Sequence, residues 1–288
     1  GQRDAFPVKG WSLDSKLHSV PDCQSIIKKA IVERLKSHYH IGWFEETGAT
    51  FQVQFTLRRD EATLLIDTSG AGLHKRGYRQ NAGGAPIKET LAAAMVDLTR
   101  ARNAAHVYDP CCGSGTLLIE AALAAKRIAP GIRRRFTFMD WDCVPDEVWR
   151  AERTRAMEME QRDRAFSAWG GDIDPHAVEI ARHNAELAEV DDTVRFEVDD
   201  ATRFHWGGQY GRVVTNPPYG ERLLEQKEAE ELYRAFGRAV DKLPETWRVY
   251  VLSSHTEFER CFGRTADKKR KLYNGMLKCD LFMYGKRV

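Results

Sequence analysis

The sequence contains no Cys-x-x-Cys pair, and Cys111 and Cys112 stand side by side. With six cysteines in 288 residues, neither a disulfide scaffold nor a metal site is expected, and a reducing cytoplasm is the expected compartment. No apolar run is long enough to span a bilayer and no secretory signal pattern is present, so no membrane partner is expected. An excess of one charge is missing too. The formal net charge is +2, so any case for nucleic acid must rest on local patches. Repeats and low-complexity tracts are absent. What remains, 42% hydrophobic and 30% charged residues, is the composition of a soluble globular protein, and the length favours two domains over one. The chain opens on Gly1-Gln2 rather than Met, which suggests a processed form or a part of something longer.

Residues 1–21 are mixed and turn-rich. Asp22 can cap a helix over 23–39, with Ile26, Ile27, Ala30, Ile31 and Leu35 at helical spacing as its buried face. Strict alternation over 51–57, the charged turn Arg58-Arg59-Asp60-Glu61 and the apolar run 63–67 predict a hairpin. Helix plus hairpin is too little to close a domain, so the module at 1–70 is expected to lack its start. Residues 71–86 form a basic, glycine-rich stretch. There Lys75, Arg76 and Arg79 interleave with His74 and Tyr78, the mixture that grips phosphates and stacks bases, although a plain linker would read the same way.

The domain from 87 to 288 changes pattern. A helix over 86–100 precedes a strand at 104–109 and an apolar helix at 116–127. A charged insertion at 128–165 carries Arg133-Arg134-Arg135 and a helix after Pro145. Glu158–Arg162 and Glu160–Arg164 at i,i+4 suit a solvated helix there. Strands at 165–171, 193–198, 212–215 and 247–252 follow, with helices at 175–187 and 228–243. A last hairpin at 272–284 turns at Asn274-Gly275. Strands alternating with helices predict an α/β, doubly wound, Rossmann-like sheet with an antiparallel C-terminal hairpin at its edge.

Ligands bind such sheets outside the carboxyl ends of the strands, and four unusual segments fall there. After the first strand, Asp109-Pro110-Cys111-Cys112-Gly113-Ser114-Gly115 lets the backbone pass close to a ligand at the N-terminus of the next helix. Leu118 replaces the third glycine of a dinucleotide turn, and the loop has no phosphate-binding Lys. Asp172 is placed for both ribose hydroxyls, Ile173 for an adenine ring, and Asp200, followed by Ala201, for an adenine amino group. Asp109 can face an ammonium group, and Asp174 can cap the helix at Pro175. Adenosine plus amino acid without a phosphate grip describes S-adenosyl-L-methionine better than NAD. The fourth segment is Asn216-Pro217-Pro218-Tyr219. Two prolines force a sharp extended turn. The Asn216 side chain and the Pro217 carbonyl then present two acceptors to a planar –NH2 group, and Tyr219 offers a flat face to a ring.

These segments, with Gly220-Glu221-Arg222 after the last, resemble the motifs of class I methyltransferases that act on exocyclic amino groups. With Gly72 to Arg79, Ala85-Pro86-Ile87-Lys88-Glu89-Thr90-Leu91-Ala92-Ala93, and an Arg-rich insertion holding Trp141 and Trp149, the chain resembles the THUMP-containing bacterial RNA methyltransferases of the RlmL/YpsC type. That resemblance implies part of an α+β THUMP domain at 1–70. It implies methylation of RNA, with guanine N2 of large-subunit rRNA as substrate, and tRNA guanine or DNA adenine N6 as rivals. Asn216, Pro217, Pro218 and Tyr219 would be catalytic. Asp109, Cys111, Gly113, Ser114, Gly115, Asp172, Ile173, Asp200, Ala201 and Asn216 would hold the cofactor. Lys75, Arg76, Tyr78, Arg79, Arg133, Arg134 and Arg135 would bind RNA. A protein glutamine methyltransferase would use the same tetrapeptide without needing the basic stretch. A non-catalytic RNA-binding assembly factor would not need the intact acids and Asn216. A nucleophilic role for Cys111 or Cys112 carries little weight, because amino methylation needs no covalent adduct.

Overall fold

A computed structural model of the chain describes all residues except 80–86, 104–105, 204–207, 220–222 and 286–288. Two units emerge, residues 1–73 with 134–155, and residues 74–133 with 156–288. Among the described residues no helix is long and apolar enough to cross a membrane, and no group of His, Cys, Asp and Glu could hold a metal ion.

The first unit contains β1 (Val8–Leu13), α1 (Val20–Tyr39), β2 (Gln52–Arg58) and β3 (Glu61–Asp67). β2 is central, parallel to β1 and antiparallel to β3. β1 lies where the sequence predicts only turns, because Gly10 weakens its strand pattern. A Cβ at Gly10 would collide with Phe55, so the glycine is what lets the two backbones close. Helix α1 also starts earlier than expected. Pro21 is tolerated in its first turn, and Asp22 sits there as a favourable acid rather than as the cap. Its buried stripe runs through Val20, Cys23 and Ile27 against Phe55 and Leu57, whereas Ile26 is 61% exposed and Ala30 is exposed. Two apolar stripes compete on this helix, and the sheet selects one.

The insertion completes this unit. Trp141 stacks on Phe51 with ring centroids 4.4 Å apart, and its Nε1 donates to the Thr50 carbonyl at 2.9 Å. Arg134 is buried and donates to the carbonyls of Gly72 at 3.0 Å and Ser69 at 3.2 Å, and to that of Ala71. Phe136, Phe138 and Trp149 form a second aromatic group. Trp141→Ala is expected to destabilise this unit by about 3–5 kcal/mol, the range for losing a buried large aromatic, read as a lower midpoint in chemical denaturation.

The second unit contains α2 (Glu89–Thr99), β4 (His106–Asp109), α3 (Thr116–Ala125), the end of α4 (Asp146–Glu158), β5 (Ser167–Asp172) and α5 (Pro175–Ala188). It continues with β6 (Val194–Val198), β7 (Arg212–Thr215), α6 (Leu223–Val240), β8 (Arg248–Ser253), α7 (Phe258–Phe262), β9 (Lys268–Asn274) and β10 (Leu277–Tyr284). Its sheet has the order β6-β5-β4-β7-β8-β10-β9. The first five are mutually parallel, and β10 is antiparallel to both β8 and β9. The expected hairpin is present, but its second strand inserts between β8 and β9, so β9 is the edge. Alternate strand residues feed two cores. Val214 and Leu281 join Met95, Leu118, Ile119 and Val178, whereas Val213 and Phe282 join Tyr233, Phe236 and Phe258.

Several boundaries move. The helix expected over 86–100 runs from Glu89, and Pro86 and residues 104–105 lie outside the described residues. Helix α6 starts five residues before the predicted 228, and α7 has no sequence counterpart because five residues show no full period. Helix α4 ends at Glu158, so the pairs expected at i,i+4 do not form. Arg162 instead binds Glu160 at 2.7 Å and Glu189 at 3.2 Å.

Candidate active site

The carboxyl ends of β4, β5, β6 and β7 lie together, as parallel neighbours must. Asp109 ends β4 almost wholly buried, and its Oδ1 accepts from the Cys111 N–H at 3.2 Å. Burial pushes its carboxyl up to about 7, with the charge of Asp172 acting in the same direction and the hydroxyl of Thr215 and the Cys111 N–H opposing. No cation is among the groups that shift it. A buried carboxylate without a cationic partner is costly to ionise.

The glycine turn is held from the neighbouring strand. The Cys112 N–H donates to the Gly171 carbonyl at 2.9 Å, and the Gly113 N–H donates to Asp172 Oδ2 at 2.9 Å. Asp172 Oδ1 accepts from the Asp174 N–H at 3.1 Å. Asn184 on α5 donates to the Ser114 carbonyl at 3.0 Å. Gly113 has φ +50° and a Cβ there would meet nothing within 4 Å, so the turn faces open space on that side. Gly115 has φ +78°, and a Cβ there would stand 2.6 Å from the Phe196 ring. Burial and the charges of Asp109 and Asp172 hold the thiols of Cys111 and Cys112 well above their usual range, so neither is a thiolate.

Beyond β5, Ile173 is 75% exposed beside Asp172, a free apolar face of the kind an adenine ring covers. Asp174 caps α5 by accepting from the His176 N–H at 2.9 Å. After β6, Asp200 is engaged locally. Its Oδ1 accepts from the Thr202 N–H at 2.9 Å and hydroxyl at 2.7 Å, and Arg203 lies 3.5 Å away. Those Thr202 bonds, more than Arg203, hold its carboxyl below the usual range. Ala201 is buried at the start of the short turn that follows. Tyr108 of β4 donates to Asp199 Oδ2 at 2.9 Å, a tie between strand ends that no sequence signal predicted.

At the end of β7, Pro217 is buried and Asn216 half-buried. The Tyr219 hydroxyl donates to Asn216 Oδ1. Tyr219 is also half-buried, packed on the core, and its hydroxyl accepts from Cys279 Sγ at 3.8 Å. Its ring is therefore less a free stacking face than the sequence implies, and its hydroxyl orients the Asn216 carboxamide. The carbonyl held by the fold is that of Pro218, which accepts from the Tyr233 hydroxyl at 2.7 Å, with Ser253 Oγ 3.3 Å from the same hydroxyl. Residues 220–222, the last part of the motif, lie outside the described residues.

The structure places the basic stretch against buried acids. Arg76 lies 3.4 Å from the buried Glu120 of α3, and the buried Tyr78 donates to the same carboxylate at 3.0 Å. Arg79 binds the buried Glu89 at 3.1 Å and the Ile87 carbonyl at 3.0 Å. These three residues anchor their segment to α2 and α3, and the guanidinium of Arg134 is likewise engaged within its own unit. Lys75 is exposed. Arg133 pairs with Glu189 and Arg135 with Asp140, each at 2.6 Å, and both stay on the surface.

Residues 76–282 match the family model of the RMKL-like methyltransferase domain, and residues 1–67 match the THUMP domain. Over 285 residues the chain is 47% identical to YpsC of Bacillus subtilis (strain 168), named as a candidate RNA methyltransferase, covering 98% of this chain and 74% of that one. Over 269 residues it is 37% identical to ribosomal RNA large subunit methyltransferase K/L of Shewanella frigidimarina (strain NCIMB 400), covering 90% of this chain but only 37% of that one. A solved structure of SMU.472, a candidate methyltransferase complexed with SAH, is 42% identical and superposes with a TM-score of 0.89 over 99% of this chain and 76% of that one.

Gly115→Ala tests the turn. The positive φ and the Phe196 ring both oppose a Cβ, so a loss of roughly 1–3 kcal/mol in stability is expected, with weaker cofactor binding in calorimetry, whereas Gly113→Ala meets only the φ penalty.

Proposed function

This chain belongs to the RMKL-like methyltransferase family and carries a THUMP domain, and from that premise we propose that it methylates an exocyclic amino group of an RNA base, guanine N2 of large-subunit rRNA above others. The observation that carries the reading is the Tyr219–Asn216 hydrogen bond at the end of β7, in a turn anchored through the Pro218 carbonyl. Asn216 is an acceptor whose direction is set before substrate arrives. The RNA assignment is supported by the THUMP match and by the rRNA named for the K/L relatives.

The cofactor, S-adenosyl-L-methionine, supplies an electrophilic methyl group on a sulfonium. Asp172 and Ile173 would hold its adenosine, the open side of Gly113 its middle, and the buried Asp109 its ammonium. An aryl amine is a poor nucleophile because its lone pair is delocalised into the ring. Asn216 Oδ1, which has a second lone pair besides the one Tyr219 engages, and the Pro217 carbonyl would each accept an N–H and turn that lone pair toward the methyl group. Catalysis of this kind is positioning and electrostatics. A guanine inside a duplex cannot reach the site, so the target base must be unpaired or flipped out.

Methyl transfer from labelled cofactor to protein-free large-subunit rRNA lacking the modification tests the reading, with tRNA and adenine-rich DNA in parallel and the product nucleoside identified by mass spectrometry. N2-methylguanosine from rRNA alone is the expected product. Methyladenine from DNA would overturn the RNA assignment.

Two variants separate the roles. Asn216→Ala should lower kcat by about a hundredfold or more, the scale for losing one preorganised polar group, with cofactor affinity within about twofold. Asp172→Ala should abolish cofactor binding, since both of its oxygens also hold the binding loops.

The pH dependence follows from Asp109. Its carboxyl is raised to about 7, and only the ionised form pairs with an ammonium. Affinity for the cofactor should therefore rise with pH, by about tenfold from pH 6 to pH 7.5, as the carboxyl ionises. Asp109→Asn should bind weakly at both, with a flat profile in isothermal calorimetry.

A further inference from the structure

The C-terminal hairpin carries a charge pattern that the proposed chemistry leaves unused. Residues 268–284 hold five basic side chains and one acid, Asp280, in a chain whose net charge is only +2. Lys269 is paired with Glu259 at 2.7 Å. Among the described residues Lys268, Arg270, Lys271 and Lys278 have no ion-pair partner within salt-bridge distance, and all four are exposed. Asp280 stands opposite Lys271 in the register.

Direction places this charge. β9 and β8 are both antiparallel to β10, so β9 runs the same way as β8 and β7, and its last residue, Asn274, lies at the edge of the sheet where Asp109 and Thr215 also end. The hairpin is tied there, because Cys279, opposite Leu272, lies 3.8 Å from the Tyr219 hydroxyl that orients Asn216. At this end Tyr273 is 63% exposed and Met276, in the turn, is 99% exposed.

Lysines on an edge strand also guard against edge-to-edge pairing. That role does not account for the tip. An exposed tyrosine and a bare methionine beyond the lysines add apolar surface at the edge that such charges would protect. A basic strip that runs toward a site and ends in an aromatic is instead the arrangement that grips a single strand by its phosphates and supports a base.

Resting on the RNA reading above, we infer that the β9–β10 hairpin is a substrate-binding arm of the methyltransferase unit. Lys268, Arg270, Lys271 and Lys278 hold phosphates of the single-stranded RNA that enters the site, and Tyr273 with Met276 supports a base beside the target.

The test uses the full chain and two variants, Lys268→Gln/Arg270→Gln/Lys271→Gln and Tyr273→Ala/Met276→Ala. Filter binding to protein-free large-subunit rRNA is measured between about 50 and 200 mM salt, where each lost phosphate contact should reduce the log–log slope by about 0.7. The triple variant should lose about 2 from that slope and raise KM for RNA at least tenfold, with kcat and cofactor affinity within about twofold. The tip variant should keep the slope and bind RNA about tenfold more weakly. Cofactor affinity, measured by calorimetry, serves as the folding control. If the parent binds RNA and both variants match its slope and KM, the inference is overturned, and sedimentation of the triple variant then reports whether the charges only guard the edge. If duplex DNA shows the same losses as RNA, single-stranded RNA is the wrong partner. If the parent itself binds no RNA, the proposed function falls and the arm with it.

Discussion

One carboxylate ties two of the strand-end loops together. Asp172 accepts from Gly113 on one side and Asp174 on the other, so the loops after β4 and β5 are fixed by the two oxygens of a single side chain. Parallel strands that end together leave backbone N–H groups without ladder partners, and each must find an acceptor. The neighbouring bonds follow the same logic. Gly171 receives the Cys112 N–H, Asp199 receives the Tyr108 hydroxyl, and Asn184 reaches the Ser114 carbonyl. The turn after β7 is fixed from α6 through Tyr233. A rigid rim of this kind is what a reaction driven by positioning requires.

Inside that rim Asp109 is buried with no cation among the described groups that shift it, whereas elsewhere in the same unit the buried Glu120 and Glu89 have arginine partners. Glu120 lies in the most apolar helix of the chain, where burial raises its carboxyl while Arg76 and Tyr78 oppose the rise. Glu89 is answered by Arg79. Removing one partner of such a buried pair leaves the other charge stranded, at a cost of about 3–5 kcal/mol. The contrast is informative. Charges that serve the fold come with partners on this chain, whereas no cation is among the groups that shift Asp109, and the proposed ammonium contact would supply one.

This contrast explains which readings survived. The order of strands and helices was legible because apolar periodicity is local, and so was the Asp174 cap, which needs only the next two residues. The glycine turn and the Asn-Pro-Pro-Tyr turn were legible because backbone freedom at Gly115 and its loss at Pro217 and Pro218 are properties of those residues themselves. The pairing of Arg76 with Glu120 was not legible, because a cation looks the same in sequence whether its partner is a phosphate or a buried glutamate from a distant helix. The basic run Lys268-Lys269-Arg270-Lys271 carried a signal at least as strong, but its place at the site edge follows only from the direction of β9.

The sequence by itself determined the α/β alternation, the four strand-end segments and the residue types that suit a cofactor with an amino acid and an adenosine. Those depend on interactions spanning a few residues. Only the tertiary structure decided that residues 134–155 complete the N-terminal unit, that β10 inserts beside β8, that Tyr219 orients Asn216, and that Arg76, Tyr78, Arg79 and Arg134 serve the interior. Each of those outcomes is set by a partner far away along the chain, and which of several possible partners a side chain meets is fixed by packing rather than by its own chemistry.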